Sequence, residues 1–227
     1  MKALQKFGGF AALYMALAHL MGLIIFVVIL DYINITDLAQ KVAMNVDKHA
    51  VVFTTNLLMY VFFGFFLIVF SLALYNRLKT GAPALMQVAT VIGIIWAGSL
   101  IASGMVANAG LSTVVTLNAT DPAQAALTWQ AIESVANGLG NANGEILGGL
   151  MTLLISLAAL RAGELPKGLN ILGLLVGTVG VVTIIPALNA LVAVFGLGQI
   201  IWFIWIGIVL LRSNPGKAVT NEILRPA

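Results

Sequence analysis

The feature that most constrains this chain is the recurrence of long segments that carry almost no charge. Of its 227 residues, 61% are hydrophobic and only 8% are charged, whereas a soluble domain carries about 25% charged residues. Disordered chains combine low hydrophobicity with high charge, so that class is excluded as well. The composition therefore predicts an all-α, polytopic membrane protein that forms a single domain over residues 1–227.

Six segments are long and apolar enough to cross the hydrocarbon core of a bilayer, which takes about 20 residues in a helix. They lie at residues 7–30, 50–75, 83–106, 138–160, 168–185 and 190–211. The fifth segment is the shortest and stops at Pro186, because proline cannot continue the hydrogen-bond ladder of a helix. We therefore expect a six-transmembrane-helix bundle whose last two spans form an antiparallel hairpin.

The basic residues predict the orientation of these spans. Of the 11 Lys and Arg residues, Lys41 and Lys48 fall on one side of the predicted bundle, and the other nine fall on the opposite side. Because Lys and Arg concentrate in short cytoplasmic loops, we expect both termini in the cytoplasm and residues 31–48 and 107–137 outside. The basic residues form no stripe, so the lipid bilayer rather than nucleic acid is the expected partner.

The two outer segments resemble each other in sequence. Residues 34–40 read NITDLAQ and residues 118–124 read NATDPAQ. In both, Thr-Asp predicts the N-cap of a short amphipathic helix on the outer membrane surface, and Trp129 fits the second helix as an interfacial anchor. Any helix that starts at an outer interface selects such caps; the alternative is an internal repeat of 34–106 and 118–185.

Two side chains inside the predicted spans can carry a charge, namely His19 in span one and Glu145 in span four. Charged groups are costly inside a membrane, so both are functional candidates by default. A rise of 1.5 Å per residue places them, together with Gln199 of span six, in one layer of the outer half. The alternatives are a neutral His19 bonded to a backbone carbonyl and a protonated Glu145 that only joins helices.

Span four carries a polar stripe and a row of glycines. Glu133, Asn137, Asn141 and Glu145 recur every four residues and so follow one helix face; Asn56, near the outer end of span two, is positioned to join them. We expect these side chains to line a polar cavity that opens outward between spans one, four and six. The alternative is a solvated vestibule without a ligand. The glycines predict close helix packing; they are Gly140, Gly144 and Gly148 on span four and Gly173 and Gly177 on span five.

Three strings in the last three spans carry a family resemblance. They are GLGNANGEILGG at 138–149, SLAALRAG at 156–163 and VFGLGQIIWFIWIG at 194–207. They resemble a family of small bacterial six-helix membrane proteins, a domain of unknown function. This resemblance implies a location in the bacterial inner membrane, and it implies no activity or ligand.

Several chemistries have no sequence support. The chain has no Cys, and it contains no H-E-x-x-H, G-x-S-x-G or P-loop motif, so we expect no metal or cofactor. The first functional hypothesis is a transporter, exporter or sensor that handles a small molecule or ion at His19, Asn141, Glu145 and Gln199. The alternative is a non-catalytic accessory or structural subunit, in an oligomer or with a partner subunit. An intramembrane enzyme ranks third.

Overall fold

The computed structural model describes residues 2–141 and 144–212, apart from the side chains of Ile33, Asn141 and Gly144. All regular structure in these ranges is helical. The α-helices are α1 (Lys2–Ile24), α2 (Leu38–Asp47), α3 (His49–Asn56), α4 (Phe63–Leu78), α5 (Pro83–Asn118), α6 (Pro122–Ala136), α7 (Gly144–Arg161), α8 (Lys167–Val182) and α9 (Val192–Arg212). Three π-helical segments interrupt them, π1 (Ile25–Ile29), π2 (Leu57–Phe62) and π3 (Asn137–Asn141), and Tyr32–Asn34 and Pro186–Leu191 are 3₁₀ helices.

Five helical stretches of the described chain are long and apolar enough to cross a membrane. They are Lys2–Ile29, His49–Leu78, Pro83–Asn118, Pro122–Arg161 and Pro186–Arg212. Helix α8, at the position of the fifth predicted span, has 16 residues and is therefore about 24 Å long. The all-α class is confirmed for the described residues, and a sixth crossing by α8 stays a prediction.

Six of the helices close into a ring. Helix α1 packs against α4, α4 against α5, α5 against α7, α7 against α8, α8 against α9, and α9 against α1. The side chains that fill this ring are large and fully buried, among them Met15, Leu67, Phe70, Met151 and Trp202. The main hydrophobic core therefore lies inside the ring.

The bundle has two ends that differ in their polar contacts. At one end, Arg77 pairs with Glu164 at 3.1 Å and Gln5 Nε2 donates to the Leu210 carbonyl at 2.9 Å. At the other end, Lys41 pairs with Glu133 at 3.0 Å. We call these the basic end and the outer end, because seven described Lys and Arg residues lie at or near the first: Lys2, Lys6, Arg77, Lys79, Arg161, Lys167 and Arg212.

The helices at the outer end only partly match the sequence predictions. Asp37 and Asp121 cap α2 and α6 by accepting hydrogen bonds from the backbone N–H groups of Gln40 and Gln124, at 2.8 and 2.9 Å. Both predicted N-caps are confirmed. The prediction of Trp129 as an interfacial anchor is wrong, because this side chain is only 4% exposed and packs in a second hydrophobic cluster at the outer end.

Helix α5 continues well past the predicted end of span three at residue 106 and reaches Asn118. Its extension buries Ala107, Leu111 and Val114 against the outer-end helices. Helix α6 runs back along it, since Ser103 Oγ donates to the Ala136 carbonyl at 2.8 Å. Helix α6 therefore packs along α5, which differs from the predicted helix lying flat on the membrane, because the extension offers it an apolar face.

The glycines of α8 bring its backbone against α7. A Cβ atom on Gly177 would lie 2.6 Å from the Leu153 nitrogen and 2.7 Å from the Gly149 carbonyl oxygen, and one on Gly173 would clash with Ser156. Gly173 and Gly177 thus lie against α7, and the facing glycine on α7 is Gly149.

The span-four glycines chosen from the sequence have other surroundings. A Cβ atom on Gly148 would meet the Trp96 ring at 2.8 Å, and one on Gly140 would lie 3.3 Å from the Leu100 side chain. Both glycines therefore face α5. The side-chain surroundings of Gly144 lie outside the described residues.

Candidate functional site

The π-helical segments contribute to the walls of two adjoining cavities. A π-helical turn spaces its hydrogen bonds five residues apart, and such turns often occur at functional sites. Phe26 of π1, Tyr60 of π2 and Asn137 of π3 all line the cavity nearer the outer end. Tyr60 and Gly140 also line the second, deeper cavity. All three π-helical segments therefore border these two cavities.

The deeper cavity, which we call the inner chamber, has a volume of about 160 Å³. Residues from α1, π2, α4, α5, π3, α7 and α9 surround it. They are His19, Met59, Tyr60, Phe63, Trp96, Leu100, Gly140, Glu145 and Phe195. The inner chamber therefore contains both charge-bearing side chains that the sequence placed inside the predicted spans.

His19 is held in place by its own helix and by the ring of Phe63. Its Nδ1 atom lies 3.2 Å from the carbonyl oxygen of Met15, one turn earlier. A carbonyl oxygen only accepts hydrogen bonds, so Nδ1 carries the hydrogen of this contact. The imidazole also packs edge-to-face against Phe63, with ring centroids 5.0 Å apart. This geometry fixes the ring and leaves Nε2 as an acceptor when His19 is uncharged.

Glu145 stands in the first turn of α7 and is partly buried. Within residues 2–141 and 144–212, no direct hydrogen bond or ion pair joins Glu145 to His19. The two groups share a chamber wall, and a bridge between them through a ligand or a water stays a prediction.

The second cavity, which we call the outer cavity, has a volume of about 230 Å³. Its wall includes Tyr32, Asn56, Tyr60, Trp129, Glu133 and Asn137. Asn56 and Asn137, both selected from the sequence, thus lie at this cavity and not at the inner chamber. The Asn56 amide donates to Asn108 Oδ1 at 2.9 Å, so its position is fixed by α5.

A polar cluster borders the outer cavity. The Lys41 ammonium donates to both carboxylate oxygens of Glu133, at 3.0 and 3.2 Å, and Tyr32 Oη donates to Glu133 Oε1 at 2.5 Å. Trp129 Nε1 in turn donates to Tyr32 Oη at 3.3 Å. Burial and then the hydrogen bond to Glu133 raise the pKa of Tyr32 above its usual value. The cluster ties α2 and α6 to the segment that follows α1.

Tyr60 belongs to the walls of both cavities. It is partly buried, and Gly104 of α5 permits this position, because a Cβ atom there would lie 2.7 Å from Tyr60 Cβ. Tyr60 therefore marks the junction between the outer cavity and the inner chamber.

Gln199 is fully buried but does not line the inner chamber. Its amide and the Thr152 hydroxyl exchange hydrogen bonds, with Nε2 to Oγ1 at 3.0 Å and Oγ1 to Oε1 at 3.2 Å. This pair joins α9 to α7 and gives Gln199 a packing role. The side chain of Asn141 lies outside the described residues.

Sequence reasoning did not select the aromatic wall of the inner chamber. Trp96, Phe63 and Phe195 are each less than 5% exposed, and in an apolar span such residues look like ordinary core. Trp96 did carry one signal, since an indole away from the span ends has no interfacial role. Its Nε1 atom is buried and has no hydrogen-bond partner among the described residues.

Comparison of the chain with protein-family models, with curated proteins and with solved structures gives no match in any of the three. The resemblance to a bacterial membrane-protein family therefore stays a prediction, and the site has to be interpreted from its own geometry.

Proposed function

We propose that this chain is an integral membrane protein that spans the bilayer six times and binds a small molecule or an ion in the inner chamber. The outward surface of the helix ring supports the membrane location. Phe7, Val28 and Leu175 each expose more than 60% of their surface. Apolar area costs about 25 cal/mol per Å² in water, so a belt of such side chains is stable only against lipid.

In this proposal the basic end faces the cytoplasm and the outer end faces away from it. The support is the positive-inside rule, because the described Lys and Arg residues concentrate at the basic end and only Lys41 and Lys48 lie at the outer end. The family resemblance adds the bacterial inner membrane as the proposed location. A 16-residue α8 makes the sixth crossing if the bilayer thins locally or the flanking residues help to cross.

One observation carries the binding function, namely that His19 and Glu145 line the same chamber. They come from α1 and α7, which are far apart in the chain, and each is costly to bury in a membrane. His19 bonds through Nδ1 to the Met15 carbonyl of its own helix, and within the described residues no hydrogen bond joins His19 to Glu145. Their placement fits a site in which both act on a third group.

The proposal predicts that water-soluble reagents reach the inner chamber from the outer side. The chain has no Cys, so single cysteines can be placed without removing native ones. In right-side-out vesicles, Leu100→Cys should react with a membrane-impermeant methanethiosulfonate, because Leu100 lines the chamber. The matched control is Leu74→Cys, a fully buried core position outside the chamber wall, which should react only after unfolding.

Exposed cysteines establish the orientation in the same experiment. Ala39→Cys at the outer end should react in right-side-out vesicles, and Lys79→Cys at the basic end should react only in inverted ones, since both positions are exposed. If Leu100→Cys reacts only after unfolding, as Leu74→Cys does, the chamber is a closed void. The accessory-subunit hypothesis would then replace the binding function.

A further inference from the structure

We infer that the inner chamber selects a compact organic cation of the alkylammonium class, held by Glu145 as counter-ion and by aromatic side chains as walls. This inference rests on the proposed binding function and names its ligand class. It follows from the composition of the wall, from the charge balance of the chamber and from its size.

Most of the described residues in the wall are aromatic. Of these nine residues, five carry aromatic rings: His19, Tyr60, Phe63, Trp96 and Phe195. Phe63 stands between two of the others, with centroids 5.0 Å from the His19 ring and 5.7 Å from the Trp96 ring. A cation within about 6 Å of an aromatic face gains about 0.5–2 kcal/mol per contact, most when it is desolvated. A wall of this kind is typical of sites that bind ammonium groups.

The charge balance of the chamber also favours a cation. Among the described lining residues, Glu145 is the one carboxylate and there is no Lys or Arg. The two ion pairs of the described chain involve other acids, Glu133 and Glu164. When it is uncharged, His19 adds an acceptor nitrogen and no positive charge. Glu145 is partly buried and has no ion-pair partner within the described residues, so a bound cation would stabilise its ionised form.

Metal cations fit the chamber less well than organic ones. Hard cations such as Ca²⁺ take six to eight oxygen ligands, and Glu145 supplies the only carboxylate among the described lining residues. Within the described residues, no three His, Cys, Asp or Glu side chains are grouped to hold a metal ion. The chamber offers aromatic side chains in place of ligand atoms, and an alkylammonium ion contacts aromatic rings through its methyl or methylene groups.

The size of the chamber narrows the class of ligand further. The chamber volume of about 160 Å³ is below the range of about 300–1,000 Å³ for pockets that bind drug-sized molecules. A small alkylammonium ion such as choline therefore combines the charge and the size that the chamber calls for.

The decisive experiment compares choline with its uncharged isostere 3,3-dimethylbutan-1-ol. Binding to the full chain in lipid nanodiscs would be measured by titration calorimetry. Because the two molecules share shape and hydroxyl group, any difference reports the charge. We expect choline to bind at least 10-fold more tightly, and we expect Glu145→Gln to remove this preference. Glu164→Gln, the same change at a carboxylate near the basic end, should leave the preference intact.

Two Tyr60 variants test the aromatic wall without touching the carboxylate, and they decide the question if Glu145→Gln does not fold. Tyr60→Phe keeps the ring face and should retain choline affinity, whereas Tyr60→Leu should weaken it by about 3- to 30-fold. Equal binding of choline and the isostere, or equal affinity of the two Tyr60 variants, would overturn the cation inference.

The failure of this inference can be told from the failure of the proposed function. If Leu100→Cys reacts from the outer side but choline does not bind, the chamber is accessible and the ligand class is wrong. If Leu100→Cys reacts only after unfolding, both ideas fail together. If choline binds and slows the reaction of Leu100→Cys, the two proposals support each other.

Discussion

Gly177→Ala is expected to separate the two most closely packed helices of the bundle. The added methyl carbon would lie 2.6 Å from the Leu153 nitrogen and 2.7 Å from the Gly149 carbonyl oxygen. Carbon atoms prefer separations of about 3.5–4.0 Å, and both obstacles are backbone atoms that no rotamer change can move. Helices α7 and α8 therefore have to move apart by roughly 1 Å, at which distance their contacts lose a quarter to a half of their attraction.

The expected cost follows from this overpacking. Extra methylene-sized groups in a packed core cost about 1–3 kcal/mol, and each kcal/mol shifts the melting temperature of a protein of this size by about 2–4 °C. Gly177→Ala should therefore lower the melting temperature in mild detergent by about 2–12 °C. Gly149→Ala should do the same, because its methyl carbon would meet the Gly177 oxygen at 2.8 Å.

The matched control is Gly98→Ala in α5, where a Cβ atom has nothing within 4 Å. Alanine favours helix over glycine by about 0.8–1.0 kcal/mol, so this variant should be as stable as the original chain or more so. The double variant Gly149→Ala/Gly177→Ala gives a second criterion. Its loss should be smaller than the sum of the single losses, because one displacement of the helices accommodates both methyl groups. An unchanged melting temperature for Gly177→Ala, or strict additivity, would refute the close-packing argument.

Two other predictions concern the buried polar pairs. Gln199→Leu should lower the free energy of unfolding by about 1–3 kcal/mol, because the Thr152 hydroxyl loses its buried partner. Adding Thr152→Val should restore part of this free energy. Thermal unfolding in detergent that shows no loss for Gln199→Leu would contradict the pairing. The pKa of Tyr32 is raised in the folded chain, so above about pH 10 the phenol ionises in the unfolded chain first. The contribution of Tyr32 to stability is therefore fully present below about pH 10 and is lost as the pH rises above it. Melting temperatures measured from pH 9 to pH 11 should therefore fall less steeply for Tyr32→Phe than for the original chain, and equal slopes would count against this account.

The helices themselves could be predicted from the sequence because their signals are local. Long apolar runs mark the membrane-length helices, and Asp37 and Asp121 mark two helix starts by cap chemistry alone. The extension of α5 was missed because hydropathy counts apolar residues without asking which face they occupy. Ala107, Leu111 and Val114 recur at helical spacing, and that spacing would have predicted the helix to continue.

Predictions that depend on what a side chain faces were less successful. Trp129 looked like an interfacial anchor, but the extension of α5 and the start of α2 provide a buried environment for it. Gln199 shares the depth expected for His19 and Glu145, yet it is turned toward Thr152. The depth of a residue along a span can be computed from the helical rise. The direction in which its side chain points depends on packing partners, which the sequence alone does not identify.

The π-helical segments explain why one polar stripe in the sequence serves two cavities in the structure. A π-helical turn takes up an extra residue, so residues after π3 are rotated relative to those in an uninterrupted α-helix. Glu133 and Asn137, before and at the start of π3, line the outer cavity, whereas Glu145, after it, lines the inner chamber. Tyr60, within π2, stands where the two cavities meet. In the proposed function, a ligand that moved from the outer cavity to the inner chamber would pass Tyr60, because this side chain lines both.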